Sequence, residues 1–377
     1  MAPAQSGIAF GNDAPTQPLR HLTARRQCLV VVRARGRLTD ARARIGRRAQ
    51  LSLLGAAGLL LCPLSGSAAV LSPMRPDALA PAPSGGLYIA DTGRDQILER
   101  LPSGRFMVVA GTGKAGFSGD GGPASAARLN NLGGMAVAAD GTLFFADQGN
   151  NRVRAISPAG RISTVAGDGR FGWVKTGTPA LRASIGNPAA VAFGPDGRLY
   201  IAAEGSNEIL RLNRDGTLTR IAGNERLQGV VGVGRQALNG SPDGPSGLAF
   251  NSDGDLFIAG QNTKTLLMID RNGVLRAPLG KDGFYARGTG GLVKAADGSV
   301  IAMQTQSILQ LRTTGAKTLF SFSNHRIDGI TGFLPNGIAI SKGGTIYTDT
   351  DGANGWADGA AIVAVGPKGR LSVLWKR

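Results

Sequence analysis

The sequence predicts an all-β fold, a six-bladed β-propeller of four-stranded blades over residues 75–377, preceded by an arginine-rich leader and a signal-like apolar segment. Three observations predict it. The chain repeats itself with a period of about fifty residues. Each repeat alternates short apolar strands with glycine turns. The chain also holds 58 glycines in 377 residues without a G-X-Y period, which points to many tight turns.

A glycine precedes a short aliphatic or aromatic strand six times. The segments are Gly85-Gly86-Leu87-Tyr88, Gly141-Thr142-Leu143-Phe144, Gly197-Arg198-Leu199-Tyr200, Gly254-Asp255-Leu256-Phe257, Gly298-Ser299-Val300-Ile301 and Gly344-Thr345-Ile346-Tyr347, spaced 56, 56, 57, 44 and 46 residues apart. A second glycine follows in each unit: Gly104, Gly160, Gly216, Gly273, Gly315 and Gly369. A third lies seven residues further on in the first four: Gly111, Gly167, Gly223 and Gly280. Units one and two align from Gly85 and Gly141 with 16 identities in 40 positions.

Unit two gives the strands in order. Met135–Ala138 is a small apolar strand, and Asp140-Gly141 is a hairpin signal. Leu143–Ala146 is the second strand, Asp147–Asn151 a polar loop, and Arg152–Ile156 an alternating third strand. Pro158-Ala159-Gly160 turns the chain into Arg161–Ala166, the fourth. One such unit buries too little apolar surface to stand alone, so its sheets must pack on their neighbours. Radial packing of four-stranded sheets is a propeller. Unit one begins with its own inner strand near Ala78-Leu79-Ala80, and unit six ends with its own outer strand, Leu371–Leu374. Closure is therefore expected to rest on packing rather than on an exchanged strand.

The leader explains much of the charge. The chain carries 42 Lys+Arg against 25 Asp+Glu, a net +17. Residues 1–50 hold ten arginines and two acids, which is +8, and residues 51–74 hold no charge. The remaining +9 is spread over about 300 residues without a like-charged run, so nucleic acid is not an expected partner. Residues 1–46 read as a disordered extension or a mis-assigned start. Residues 47–69 read as a signal peptide: Arg47-Arg48, the apolar Leu51–Leu61, then Ser65-Gly66-Ser67-Ala68-Ala69. Cleavage after Ala68 or Ala69 is expected, with an uncleaved membrane anchor or a buried soluble segment as alternatives. The expected location is periplasmic, secreted or cell-surface. Both cysteines, Cys28 and Cys62, lie in this leader, so no disulfide framework is expected in the propeller.

The motifs resemble the NHL-repeat family. The residues that carry the likeness are Leu87–Asp91, Leu143–Asp147 with Asn150-Asn151-Arg152-Val153, Gly160–Gly167 and the linker Gly116–Ala124. The resemblance implies a six-bladed propeller, usually a binding platform. A minority of related propellers are enzymes: amidating lyases with His-ligated zinc, and calcium-dependent lactonases of the regucalcin type.

The candidate chemistry is sparse. The propeller has one histidine, His325, and no cysteine, which leaves no zinc-lyase ligand set. Calcium takes six to eight oxygens. The resemblance places such ligands just before each inner strand, at Asp77, Gly133, Ala189, Ser246, Gly290 and Asn336; of these only Asp77 and Asn336 would ligate a metal well. The carboxylates ending second strands, Asp91 and Asp147 with Glu204 in unit three, are expected to accept loop N–H groups. Unit six carries a polar insertion in which Asp349, Asp351, Asn354, Trp356 and Asp358 are the candidate partner-binding residues. Gly119-Asp120-Gly121-Gly122 lacks the Lys-Ser/Thr of a phosphate loop and reads as an interblade linker. The expectation is a non-catalytic scaffold contacting a protein, a glycan or an anionic envelope polymer. The alternative is a calcium-dependent, lactonase-like hydrolase with its site at the channel.

Overall fold

The computed structural model describes residues 74–223, 229–260, 265–280, 291–304, 307–313, 315–323, 335–350 and 361–376. All of them fall in one compact unit, Gly66–Arg377. Blade 1 is β1 (Pro76–Pro81), β2 (Leu87–Asp91), β3 (Gln96–Arg100) and β4 (Phe106–Ala110). Blade 2 is β5 (Leu132–Val137), β6 (Leu143–Asp147), β7 (Arg152–Ile156) and β8 (Ile162–Ala166). A two-residue strand, β9 (Thr178–Pro179), precedes blade 3: β10 (Pro188–Phe193), β11 (Leu199–Ala203), β12 (Glu208–Leu212) and β13 (Thr217–Ala222). Blade 4 is β14 (Pro245–Phe250), β15 (Leu256–Gly260), β16 (Leu267–Ile269) and β17 (Leu275–Arg276). Blade 5 is β18 (Leu292–Lys294), β19 (Val300–Gln304), β20 (Ser307–Arg312) and β21 (Gly315–Ser321). Blade 6 is β22 (Pro335–Ile340), β23 (Ile346–Thr350), β24 (Ala361–Val365) and β25 (Leu371–Lys376). Each blade is an antiparallel meander in sequence order, and β9 adds a fifth strand outside β13.

The first glycine of each unit lies in the turn between its first two strands, at φ +70° to +87°, a region that costs L side chains steric strain. The third glycine has a second reason. A Cβ on Gly111, Gly167 or Gly223 would sit 2.1–2.3 Å from the carbonyl oxygen of Asp95, Asn151 or Asn207. Gly280 departs from that role: among the described residues, none would touch a Cβ there.

Alternating residues bury both faces of a blade. Leu143 and Phe145 of β6 face blade 1, joining Ala90, Ile97 and Ala110. Phe144, one residue out of step, meets Phe193 of blade 3 edge to face at 5.3 Å. Among the described residues six buried clusters result, one between each pair of neighbours. The cluster of Leu79, Leu87, Ile89 and Leu98 with Ala339 and Ile362 joins blade 1 to blade 6. The ring thus closes by packing, and among the described residues no strand is exchanged between the two blades.

Two devices hold neighbours in register. Asp95, Asn151 and Asn207, left-handed at φ +49° to +55°, reach the next blade. Their side-chain oxygens accept the backbone N–H of Asn131 (2.8 Å), Asn187 (3.0 Å) and Gly244 (2.7 Å). Asx side chains tolerate this backbone region and supply the acceptor at once. The second device is a buried charge on a third strand that grips the linker above it. Arg154 of β7 donates to the Ser118 carbonyl (2.9 Å), the Arg128 carbonyl (3.1 Å) and Asp120 (2.7 Å). In blade 3, Glu208 of β12 instead accepts the Val174 N–H at 3.2 Å.

Candidate functional site at the channel mouth

One face of the ring gathers the loops after second strands, the starts of inner strands and the interblade linkers, because antiparallel pairing brings these ends together. At the start of five inner strands the register slips: between Pro76 and Ala78, Leu132 and Met135, Pro188 and Ala190, Pro245 and Gly247, and Pro335 and Ile338. Such bulges re-aim a side chain at a sheet end. The displaced positions include Asp77, Gly133, Ala189, Ser246 and Asn336, members of the ring to which the family resemblance points. Gly290 lies outside the described residues. The ring is tight: a Cβ on Gly133 would lie 2.3 Å from the Ala189 carbonyl oxygen, and one on Gly337 would lie 3.1 Å from that of Asp77.

Below this mouth runs the channel, with a volume of about 250 Å³. All six inner strands line it, through residues such as Ala78, Met135, Ala190, Leu248, Val293 and Ile338, and among the described residues Lys294 is its one charged lining residue.

The mouth itself is polar and asymmetric. Gln148 and Glu204 occupy matching places, each the first residue of a 3-10 turn after the second strand. Gln148 donates to Glu204 Oε2 at 3.0 Å, joining blade 2 to blade 3. Asn131 donates to Gln148 Oε1 at 3.2 Å, and its counterpart Asn187 donates to Glu204 Oε2 at 3.5 Å. Burial raises the proton affinity of Glu204, the Gln148 bond lowers it, and the Asp77 carboxylate of blade 1 raises it again. No cation is among the described groups that act on Glu204.

The second-strand carboxylates serve the fold. Asp91 accepts the N–H groups of Arg75 (2.8 Å) and Gly93 (3.1 Å). Asp147 accepts the Asn130 N–H at 2.9 Å and the Asn150 amide, and lies 3.4 Å from Arg154. Burial still pushes Asp147 up to about 6. Glu204 corrects the sequence reading. The residue paired like Asp91 and Asp147 is Ala203, opposite Pro188, so Glu204 stands one place later and turns to the mouth. A gapless alignment of the three units at their second strands carries this signal.

The remaining candidates divide. Asp77 sits at the mouth. Asn336 lies in the bulge of β22, and its side chain is outside the described residues. Asp349 is not on a partner-facing loop: it is buried in β23 and accepts the Gly337 N–H at 2.6 Å, which ties it to the β22 bulge. Asp351, Asn354, Trp356, Asp358 and His325 lie outside the described residues. Gly119–Gly122 is a linker, as expected, with Asp120 bonded to Arg154 and Thr164.

Comparison with known proteins places the fold. A family model described as the teneurin NHL domain matches residues 110–157, the first linker and most of blade 2. Human Teneurin-4 is 40% identical over 92 residues, covering 21% of this chain and 3% of that protein. The chain thus spans a small fraction of the length of that relative. A virginiamycin B lyase from Staphylococcus aureus aligns with a TM-score of 0.50 at 16% identity, covering 79% of this chain and 83% of the lyase. A gluconolactonase from Xanthomonas campestris aligns with a TM-score of 0.51 at 14% identity, covering 74% and 84%. At such identities these likenesses concern the fold alone.

Proposed function

From the NHL-domain match over residues 110–157 and the six-bladed fold, we propose that this chain is an NHL-type binding scaffold whose partner-facing end is the mouth formed by Asp77, Gln148 and Glu204. One observation carries the reading. Two carboxylates from blades 1 and 3 converge over an apolar channel, and none of the described groups setting the proton affinity of Glu204 is cationic. A partner that brings a cation there stabilises the Glu204 carboxylate and gains specificity from the match. The partner is therefore a protein presenting a lysine or arginine side chain. An anionic envelope polymer would be repelled by Glu204, and a neutral glycan would bring it no counter-charge. The arginine-rich leader supports a place outside the cytosol for this encounter. Among the described residues no helix is long and apolar enough to cross a membrane.

The test is differential capture from an extract of the source organism, with wild type compared to Asp77→Asn/Glu204→Gln and to Asp196→Asn on the opposite turn face. Partners held by wild type and by Asp196→Asn, but lost from the mouth variant and in high salt, support the reading. Equal capture by all three chains sinks it.

A calcium-dependent, lactonase-like hydrolase is the second reading, favoured by Asp77 standing in the bulge ring. The described residues supply few ligands for it, and no three of their His, Cys, Asp or Glu side chains cluster to hold a metal. Calorimetric titration with calcium, followed by a gluconolactone hydrolysis assay, separates the two. Stoichiometric binding abolished by Asp77→Asn, together with turnover, would replace the scaffold reading.

A further inference from the structure

We propose that Phe171 and Trp173 form an aromatic shelf beside Glu204 that takes an arginine side chain of the partner, an inference that rests on the mouth being the partner-facing end. The linker before blade 3 carries both rings to the surface. Phe171 is 55% exposed and Trp173 is 49% exposed, and the two meet edge to face at 6.0 Å. A lone exposed apolar residue is ordinary. Two large rings paired in the open beside a polar mouth are not, and aromatic side chains are those that interfaces concentrate.

Backbone packing holds the shelf in place. Val174, which follows Trp173, donates its N–H to the buried Glu208 carboxylate at 3.2 Å. Gly172, between the two rings, has no room for a Cβ, which would lie 2.8 Å from that of Ser184. A Cβ on Gly205 would meet the Phe171 ring at 2.6 Å and the Asn187 Cβ at 2.9 Å, so ring and asparagine close on the same glycine. Gly205 follows Glu204 in its 3-10 turn, and Asn187 donates to Glu204 Oε2. The shelf therefore adjoins the carboxylate at the mouth. Rings held this way lose little freedom when a partner binds.

Blade 2 shows what this place accepts. Its linker aromatic, Phe117, lies seven residues before Ala124, as Trp173 lies seven before Ala180. Both alanines donate to the turn before the outer strand, at the Gly160 and Gly216 carbonyls. The Arg152 guanidinium stands 3.8 Å from the centre of the Phe117 ring, so blade 2 supplies its own cation. In blade 3 the matching third-strand residue is Glu208, since Arg152 pairs with Asp147 and Glu208 with Ala203. Blade 3 thus keeps the aromatic, adds a second in Phe171 where blade 2 has Ala115, and puts an acid in the place of the arginine. An arginine of the partner restores the stack. Arginine fits better than lysine, because a planar guanidinium lies on a ring face while its N–H groups donate to a carboxylate such as Glu204.

The test is calorimetric titration of the full chain with a short arginine-rich peptide and with its lysine counterpart, for wild type, Phe171→Leu/Trp173→Leu and Glu204→Gln. The aromatic substitutions leave the net charge unchanged, so the lysine peptide reports whether the mouth is intact. The proposal expects wild type to bind the arginine peptide about fivefold more tightly than the lysine peptide. It expects the aromatic variant to bind both alike, with lysine binding changed by less than about twofold. Equal binding of the two peptides by wild type overturns the shelf; if Glu204→Gln still weakens both, the mouth reading stands without it. An arginine preference that survives in the aromatic variant overturns the shelf too. So does a loss of both peptides alike in that variant at an unchanged urea midpoint. No binding of either peptide to wild type overturns shelf and mouth together.

Discussion

Arg154→Met should be among the most damaging single substitutions in the propeller. Arg154 is fully buried in β7 and shares its guanidinium among two carbonyls, Asp120 and Asp147. Methionine fills comparable volume, so the loss is electrostatic rather than a cavity. Breaking a buried pair by removing one partner costs about 3–5 kcal/mol, because the other charge stays behind without compensation. Asp120 is partly exposed and recovers water, whereas Asp147 is fully buried and does not. The Ser118 and Arg128 carbonyls also lose their donor, and with it the grip on the first linker. The expected loss is therefore about 3–5 kcal/mol, read as a lower urea midpoint at unchanged slope. A loss below about 1 kcal/mol would refute the reasoning, since it would mean the linker is held without Arg154.

Three further outcomes follow from the geometry. Burial holds Asp147 near 6 in the fold against an ordinary value near 4, so the folded chain takes up a proton that the unfolded chain does not. Wild type should therefore lose stability relative to Asp147→Asn as pH rises from about 4 to about 6, by at most about 3 kcal/mol at 1.36 kcal/mol per tenfold change in proton affinity; a difference that does not change over that range contradicts it. Asn151→Ala should cost about 1–2 kcal/mol in denaturant melts, through the lost acceptor for the Asn187 N–H and the left-handed backbone, and Asn151→Gly should cost less because glycine bears that backbone freely. Gly133→Ala should cost about 1–3 kcal/mol, because its Cβ meets the Ala189 backbone rather than a side chain that can turn away.

The glycine spacing made the fold legible because positive-φ turns recur at matching places in every blade and few other residues serve there. Closure was legible for a related reason: each terminal unit supplies its own complete set of strands. The ring at Asp77, Gly133, Ala189, Ser246 and Asn336 came from the family resemblance rather than from the residue pattern, and the register slips fall at the same places. The mouth was harder to read. Glu204 looks like the third member of the Asp91 and Asp147 series, and only strand pairing reveals that it stands one residue later. Asp349 misled in the opposite way. Its acidic neighbours suggested an exposed loop, but alternation along β23 turns it inward to the Gly337 N–H. The linker anchors were hidden because Arg154 and Glu208 differ in place as well as in charge: in the repeat Glu208 matches Arg152, and Arg154 matches Leu210.

The most direct test of the scaffold account is calorimetric titration of the chain with a short lysine-rich peptide, for wild type and for Asp77→Asn/Glu204→Gln. The chain carries a net charge of +17, so a cationic peptide has reason to bind only where acidic groups converge. The account predicts saturable binding to wild type that weakens with added salt and at least a tenfold loss in the double variant. Equal binding by both chains, or no binding to wild type, would contradict it.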